Sequence, residues 1–173
     1  MAIQHFVVFA GLLVLLGCTE SERADEKDAG DSTFQPPADW SSFATKCSFS
    51  FRAPPGTVEQ ISQGTDSCVT HHTVGTCELS GDYGGYSDPL IDYGDNADYS
   101  DEPTRIDGND ARLVRFRSAA DGDGDGKFVA AVHFARLQNE ASANIKFTLY
   151  AACDSVMGRA TVLDLFKTID FDD

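Results

Sequence analysis

Short segments in which apolar and polar residues alternate fill most of the chain after residue 40. Alternation with a period of two predicts β-strands, because successive side chains of a strand point to opposite faces. In "CSFSFRAP" it places Phe49 and Phe51 on one face, and in "ARLVRFRS" it turns Val114 and Phe116 inward and the arginines that follow them outward. Further segments of this kind are "SCVTHHTVGTCELSG", which predicts two strands around a turn at residues 72–75, "KFVAAVHFA" and "NIKFTLYAA".

The end of the chain, "CDSVMGRATVLDLFKTIDF", follows a different period. Val156, Ala160, Leu163 and either Phe166 or Lys167 are spaced as one face of a helix, and Asp154 is a suitable N-cap residue. A last short strand is predicted around Ile169 and Phe171. The sequence therefore predicts an α+β domain, with an antiparallel sheet of about five to six strands and a C-terminal helix packed on it.

Several of these segments resemble a known group of domains. "FSFRAPPG", "DYGGYSDPL", "IDGNDARLVRF" and the closing "VLDLFKTIDF" occur in an order that resembles small bacterial lipoproteins of the PsbP-like α/β sandwich type, over about residues 47 to 171. The resemblance implies a binding or accessory role. It does not name a ligand, because one fold carries many functions.

The first residues, "MAIQHFVVFAGLLVLLGCTE", contain a run of apolar or small residues from Phe6 to Leu16. The run is shorter than the about 20 apolar residues that span a bilayer, and it matches the apolar region of a secretory signal. It ends in Leu15-Leu16-Gly17-Cys18, which resembles the lipobox of bacterial lipoproteins. The resemblance implies that residues 1–17 are a signal peptide and that Cys18 is acylated on its thiol and on its new amino terminus.

Composition divides the remaining chain into two parts. Residues 18–39 are polar and acidic and end near a Pro pair, so we expect a disordered tether that starts at the lipidated Cys18. Residues 40–173 are long enough for a single globular domain. In enteric bacteria an Asp directly after the lipidated Cys resembles an inner-membrane retention signal, and this chain has Thr19 at that position. The sequence therefore favours the outer membrane, with the domain facing the periplasm.

The formal net charge of −15 limits the class of partner. Nucleic acids and anionic lipid surfaces both require clustered Lys and Arg, so neither is expected as a direct partner of the domain. A basic protein suits the charge of the chain.

Four cysteines remain once Cys18 is set aside as the lipid carrier: Cys47, Cys68, Cys77 and Cys153. An even number in an exported chain predicts two disulfides, for which three pairings exist. We favour Cys68–Cys77 across a short hairpin, with Cys47–Cys153 joining the two ends of the domain.

An acidic, tyrosine-rich segment from Gly81 to Pro103 is the strongest candidate for partner binding. It is expected to be a long connection, and long connections are often functional. Tyr rings suit a binding face, so the segment could bind a basic protein or stack sugars while its carboxylates hold hydroxyl groups. The alternative is a loop whose rings cover the edge of the sheet while its acids remain in solvent. The candidate binding residues are Tyr83, Tyr86, Asp88, Asp92, Tyr93 and Tyr99.

The stretch "DGDGDGK" places Asp121, Asp123 and Asp125 at the first three ligand positions of a calcium loop. The twelfth position, which needs a Glu, is Val132, and the flanking segments alternate as strands. We therefore expect a Gly-rich hairpin connection that binds calcium weakly at most.

Three histidines are the remaining metal candidates. His71 and His72 are adjacent, so on a strand they face opposite sides, and His133 could join one of them. The spacing is unspecific for zinc, and the sequence predicts no bound cofactor.

No nucleophile motif of the Gly-x-Ser-x-Gly type occurs. The sequence thus favours a non-catalytic, lipid-anchored envelope protein that binds a partner or supports a complex. The alternatives are an inhibitor or immunity-type lipoprotein that neutralises a basic toxin or hydrolase, and a metal-dependent periplasmic enzyme.

Lipidation of Cys18 gives the first test. Intact-mass analysis of the protein from the envelope should show an amino terminus at Cys18 that carries acyl chains, because the thiol is the acceptor of the lipid. Replacing Cys18 with Ser should leave unlipidated precursor. A wild-type protein without acyl mass on Cys18 would contradict the prediction.

Overall fold

The computed structural model of the protein describes residues 34–63, 66–119, 125–137 and 145–171. The side chains of residues 61–63 are excepted. Cys18 and residues 1–33 lie outside these ranges, as do Asp121 and Asp123 of the acidic stretch. The described residues belong to one compact unit, Thr33–Asp173. They start six residues before the predicted domain boundary, and Lys167 Nζ lies 4.8 Å from the centre of the Phe34 ring.

The domain is α+β, as predicted, with two antiparallel sheets and a C-terminal helix. Its elements are β1 Ser41–Ala44, β2 Phe49–Ala53, β3 Val58–Gln63, β4 Ser67–Val74, β5 Cys77–Gly84, β6 Ala97–Ile106, β7 Asn109–Arg117, β8 Phe128–Phe134, β9 Lys146–Cys153, α1 Val156–Phe166 and β10 Asp170–Phe171. The larger sheet has seven strands in the order β3-β4-β5-β9-β8-β7-β6. The smaller sheet has the order β1-β2-β10.

The expected five to six strands were too few, because β1, β3 and β6 show no clear alternation. Both β3 and β6 form edges of the large sheet. Most of β6, "ADYSDEPTRI", is exposed or half-buried, and it contains Pro103. An edge strand tolerates Pro and needs no buried face, so its sequence resembles a loop.

The first face of the large sheet carries the main core. Helix α1 and the small sheet cover this face, and Phe147 and Leu149 of β9 are fully buried in it. The ring of Phe49, from β2, lies 4.4 Å from that of Phe147. Phe49 and Phe51 are both buried, as their alternation predicted.

The opposite face of the same sheet carries a second, smaller core. Val114 and Phe116 are buried here, together with Leu90, Val129 and Ala131. They point inward as predicted, but toward the β5–β6 connection and away from the helix. The two arginines that were expected to face solvent, Arg115 and Arg117, instead lie half-buried on the helix side. Arg115 bonds Glu102, and Arg117 lies 5.0 Å from the centre of the Phe128 ring.

Helix α1 starts one residue later than expected. Its N-cap is Ser155 and not Asp154, and the Ser155 hydroxyl accepts a hydrogen bond from Gly158 N at 3.0 Å. Its buried residues are Val162, Leu165 and Phe166, whereas Val156 is 53% exposed. The buried face of the helix is therefore rotated about the helix axis relative to the predicted face. Of the residues predicted to be buried, only Phe166 is fully buried.

The two disulfides are present, but both predicted pairings are wrong. The bonds are Cys47–Cys68, with Cα atoms 5.6 Å apart, and Cys77–Cys153, at 4.1 Å. The β4–β5 turn consists of Gly75 and Thr76, so Cys77 directly follows it. Cys68 lies opposite Tyr83, six residues further along β5, which is about 20 Å from Cys77 and beyond the reach of a disulfide. Cys77 instead lies directly opposite Cys153 in the β5–β9 ladder.

Gly158 explains how the helix approaches the Cys77–Cys153 bond. A Cβ at position 158 would lie 2.9 Å from Cys77 Sγ and 3.2 Å from Thr76 Oγ1. The sulfur is fixed by its disulfide and cannot rotate away. We expect Gly158→Ala to destabilise the domain by about 1 kcal/mol in urea denaturation, because overpacking of about 1–3 kcal/mol exceeds the gain in helix propensity.

The matched control is the same substitution in a Cys77→Ala/Cys153→Ala background. With the sulfur removed, Gly158→Ala should be neutral or stabilising, since Ala favours the helix by about 1 kcal/mol over Gly. A stabilising effect in the wild-type background would show that the helix does not lie as close to the disulfide as described.

Candidate functional site

The acidic, tyrosine-rich segment is not one long connection, as was expected. It contains the end of β5, a twelve-residue loop and most of β6, and we call residues 85–96 the acidic loop. Asp88, Asp92 and Tyr93 lie in this loop, which crosses the sheet face opposite the helix. Tyr99 also contacts this face, from β6. Tyr83 packs on the helix side against Phe147, so the structure separates it from the other candidates.

A buried hydroxyl fixes the acidic loop to the sheet. Thr148 Oγ1, on β9, lies 2.5 Å from Ser87 Oγ, 2.8 Å from His133 Nδ1 and 2.7 Å from the Asp88 carbonyl oxygen. The carbonyl can only accept, so the single Thr148 proton is donated to it. Ser87 and His133 must then both donate to Thr148. This assigns the proton of the neutral His133 ring to Nδ1.

Leu90 holds the middle of the acidic loop. Its φ of 57° is unfavourable for a branched side chain, by about 1–2 kcal/mol. Its side chain is fully buried in the second core, which contributes about 1.5–3 kcal/mol and offsets that strain. Leu90 N donates to Asp88 Oδ1 at 2.8 Å. From β7, the Arg112 guanidinium donates to the carbonyls of Pro89, at 2.8 Å, and Leu90, at 3.4 Å.

Tyr93 and Asp88 form the polar part of the loop. The Tyr93 ring stacks on Phe116 with centroids 4.9 Å apart, and its hydroxyl donates to Asp88 Oδ2 at 2.8 Å. Burial, this hydrogen bond and the charges of Asp88 and Asp92 raise the pKa of Tyr93 to about 12. Burial and the Asp88 charge also raise the pKa of Tyr150. Burial is the largest cause of both shifts, and the charge of Asp88 adds to each of them.

A cavity of about 310 Å³ lies between the acidic loop and the sheet. Its lining comes from three elements: Ser80 and Asp82 of β5, Asp88, Leu90 and Tyr93 of the loop, and Thr148 and Tyr150 of β9. Asp82 Oδ1 is inaccessible to solvent and accepts no hydrogen bond within the described part of the chain. Such a buried acceptor is costly unless a donor reaches it.

Of the predicted binding residues, only Asp88 and Tyr93 line this cavity, and Tyr86 and Asp92 lie outside it, as do Tyr83 and Tyr99. Tyr86 is 83% exposed at the start of the acidic loop, and Asp92 is exposed beside Tyr93. The loop thus covers the sheet with Leu90 and Tyr93 and keeps other side chains in solvent.

Several lining residues were not predicted from the sequence. Asp82, Thr148 and Tyr150 lie on strands β5 and β9, whose other faces are apolar. The alternating pattern identified the apolar faces of these strands, and no function was assigned to the faces that carry these three residues. Thr148 and Tyr150 alternate with Phe147 and Leu149 in "KFTLYAA" and therefore share the opposite face of the strand. Reading that second face as well would have identified both residues.

The three histidines do not form a metal site. His71 is exposed and His72 is 1% exposed on the other face of β4, as their adjacency predicted. His133 lies on β8, and two strands separate β8 from β4, which is about 14 Å. No group of three metal-ligating side chains occurs among the described residues.

The acidic stretch connects two antiparallel strands, as its alternating flanks predicted. β7 pairs with β8, and Ser118 N donates to the Lys127 carbonyl at 2.9 Å to close the hairpin. Gly126 packs against the Ser118 backbone, where a Cβ would clash with the carbonyl oxygen. Asp125 is exposed, while Asp121 and Asp123 lie outside the described residues, so weak calcium binding stays a prediction.

Comparisons with known proteins give little further information. No protein-family model matches the chain, and no curated protein matches it. One similar solved structure is a crystal structure of a protein from Bacteroides thetaiotaomicron VPI-5482, with 13% identity and a TM-score of 0.46. The match covers 78% of this chain but only 49% of that one, so this chain spans about half of its length. Among the described residues, no helix is long and apolar enough to cross a bilayer.

His72 gives a pH dependence that can be measured. Burial between the rings of Phe43 and Phe51, and the nearby His71, lower the pKa of His72 from 6.5 to about 4. Between pH 6.5 and about pH 4, the unfolded chain is protonated at His72 and the folded protein is not. The free energy of unfolding is therefore unaffected by His72 above pH 6.5 and decreases as the pH falls toward 4. We expect a loss of about 3 kcal/mol from this residue in urea denaturation.

The control is a pair of variants on the same strand. His72→Leu should remove most of this loss, because Leu cannot be protonated, whereas His71→Gln should retain it. An unchanged pH profile in His72→Leu would show that the buried imidazole is not the group responsible.

Proposed function

We propose that the protein is a lipid-anchored cell-envelope protein that acts as a non-catalytic binding or accessory module. The anchor would be Cys18 in the outer membrane, and the domain would face the periplasm. The observation that carries the proposal is the cavity beneath the acidic loop, which brings carboxylates and tyrosines from three separate elements to one concave site. Concave sites with a few convergent polar groups are the usual places for ligands.

Contacts within the domain hold the acidic loop in place, which supports a binding role. Thr148 fixes Ser87 and the Asp88 carbonyl, and Leu90 is buried in the second core. A partner would therefore not have to order the loop, and less of the interaction free energy would be lost on binding.

The chemistry of this face favours a basic protein or a glycan as the partner. Asp92 and Asp95 are exposed on the loop, and Tyr86 offers a largely exposed ring. A basic toxin or hydrolase would meet the same negative surface, so an inhibitor or immunity-type role is the second candidate. The identity of the bound partner separates these two roles.

Site-specific photo-crosslinking tests the binding face in the cells that produce the protein. A photoreactive residue at position 86 samples the acidic loop, and one at position 157 samples helix α1 on the opposite side. Both native residues are strongly exposed: Tyr86 by 83% and Met157 by 76%. We expect a discrete adduct of higher mass from position 86 and none from position 157.

The composition of the adduct then assigns the role. A basic hydrolase or toxin supports inhibition, and another envelope protein or a glycan supports an accessory function. Equal adducts at both positions, or an adduct at position 157 alone, would contradict the proposed binding face.

A further inference from the structure

We infer that the cavity beneath the acidic loop binds an organic cation: a primary ammonium or guanidinium group on a short aliphatic stem. The inference rests on the proposed function, because it names the ligand chemistry of the same face. Such a group occurs both on Lys and Arg side chains of proteins and on free amines, and both sources share the chemistry argued below.

The lining of the cavity has a clear charge preference. It contains two carboxylates, Asp82 and Asp88, and no Lys or Arg side chain. An anion entering this space would meet two like charges at short range, which disfavours binding. A cation would meet two opposite charges, and its attraction to the half-buried Asp82 is screened less than its attraction to the exposed Asp88.

Asp82 supplies an acceptor that lacks a donor. Its Oδ1 is buried and accepts no hydrogen bond from the described residues, although buried carboxylate oxygens are nearly always paired. Asp88 is held differently: Leu90 N and the Tyr93 hydroxyl each donate to one of its oxygens. A carboxylate oxygen can accept more than one bond, so the exposed Asp88 can receive N–H donors from a ligand, while Asp82 adds its unpaired negative charge to the lining of the cavity.

Thr148 and His133 contribute no positive charge to the site. Thr148 Oγ1 already contacts three partners, which uses its one donor and two acceptor positions. Burial and the charges of Arg112 and Lys146 lower the pKa of His133, so its ring stays neutral at pH 7. Arg112, on the outer side of the loop, is paired with Asp101 at 2.5 Å.

Aromatic and aliphatic side chains complete the match to an organic cation. Tyr93 and Tyr150 line the cavity with ring centroids 6.5 Å apart. Tyrosine faces attract ammonium and guanidinium groups through the negative potential of the ring. Leu90 adds an apolar wall for the methylene groups of a stem. The volume of about 310 Å³ suits a small ligand or one long side chain.

Calorimetric titration of the purified full-length protein tests the charge preference directly. The probes are n-pentylammonium, n-pentanol with the same stem but no charge, pentanoate with the opposite charge, and glucose. We expect n-pentylammonium to bind at least tenfold more tightly than pentanol and glucose, and pentanoate to give no binding. Equal or tighter binding of pentanol or glucose would overturn the inference, and this comparison requires no variant.

Two variants on one face of β5 locate the cation. Asp82→Asn keeps the shape of the side chain and removes its charge inside the cavity, and it should weaken n-pentylammonium binding at least tenfold. Glu78→Gln removes a charge from an exposed residue of the same face that does not line the cavity, and it should change the affinity less than twofold. Equal effects of both variants would show a general charge effect and no specific site.

The source of the cation is separated with two further probes. Tighter binding of Nα-acetyl-lysine amide than of n-pentylammonium indicates a protein side chain, and tighter binding of spermidine indicates a free polyamine. If no amine binds while position 86 still forms its adduct, the ligand class is wrong and the binding face stands. If amines bind but no adduct forms, the cavity takes a small molecule and the proposed partner interaction is wrong.

Discussion

Strand β8 is buried on both of its faces, and this burial determines the arrangement of the other elements. Ala130, Val132 and Phe134 point toward the helix, while Val129 and Ala131 point the other way. A sheet with two apolar faces at its centre must be covered twice. Helix α1 and the small sheet cover one face, and the acidic loop covers the other. The loop is therefore required by the fold, although its composition is that of a solvent-exposed segment.

The structural and binding interpretations of the acidic loop are therefore compatible. Leu90 and Tyr93 cover the second core, and the same contacts place Asp88 and the Tyr93 hydroxyl at the cavity. A loop with only a covering role would need apolar contacts alone. Here the backbone of Leu90 adopts a left-handed conformation, which burial of the side chain and the bond to Asp88 maintain. Strain of this kind persists only where the surroundings fix it, and it is common at ligand sites.

The sequence predicted best those elements that are apolar on one face only. Phe49 and Phe51 identified β2 because their neighbours are polar, and the alternation of β9 was equally clear. The edge strand β6 was missed because it buries little, so no periodicity marks it. The disulfide pairing depended on where the β4–β5 turn falls, because a shift of the turn by two residues changes the pairing register by four residues, or about 13 Å along the strand. Asp82 lies close to Thr148 and Tyr150 because β5 and β9 are neighbours in the sheet, and the order of the strands could not be predicted from the sequence.

Side chains of β7 point alternately to the two faces of the sheet, and this explains why the face under the acidic loop is negative although β7 contains three arginines. Arg115 and Arg117 point to the helix side, where they contact Glu102 and the Phe128 ring. Arg112 points to the loop side, and its hydrogen bond to Asp101 is the main cause of the lowered pKa of that carboxyl. The positive charge of Arg112 is thus used to fix the outer edge of the loop. No Lys or Arg side chain lines the cavity beside Asp82 and Asp88, so the selectivity that we propose for this face is electrostatic before it is steric.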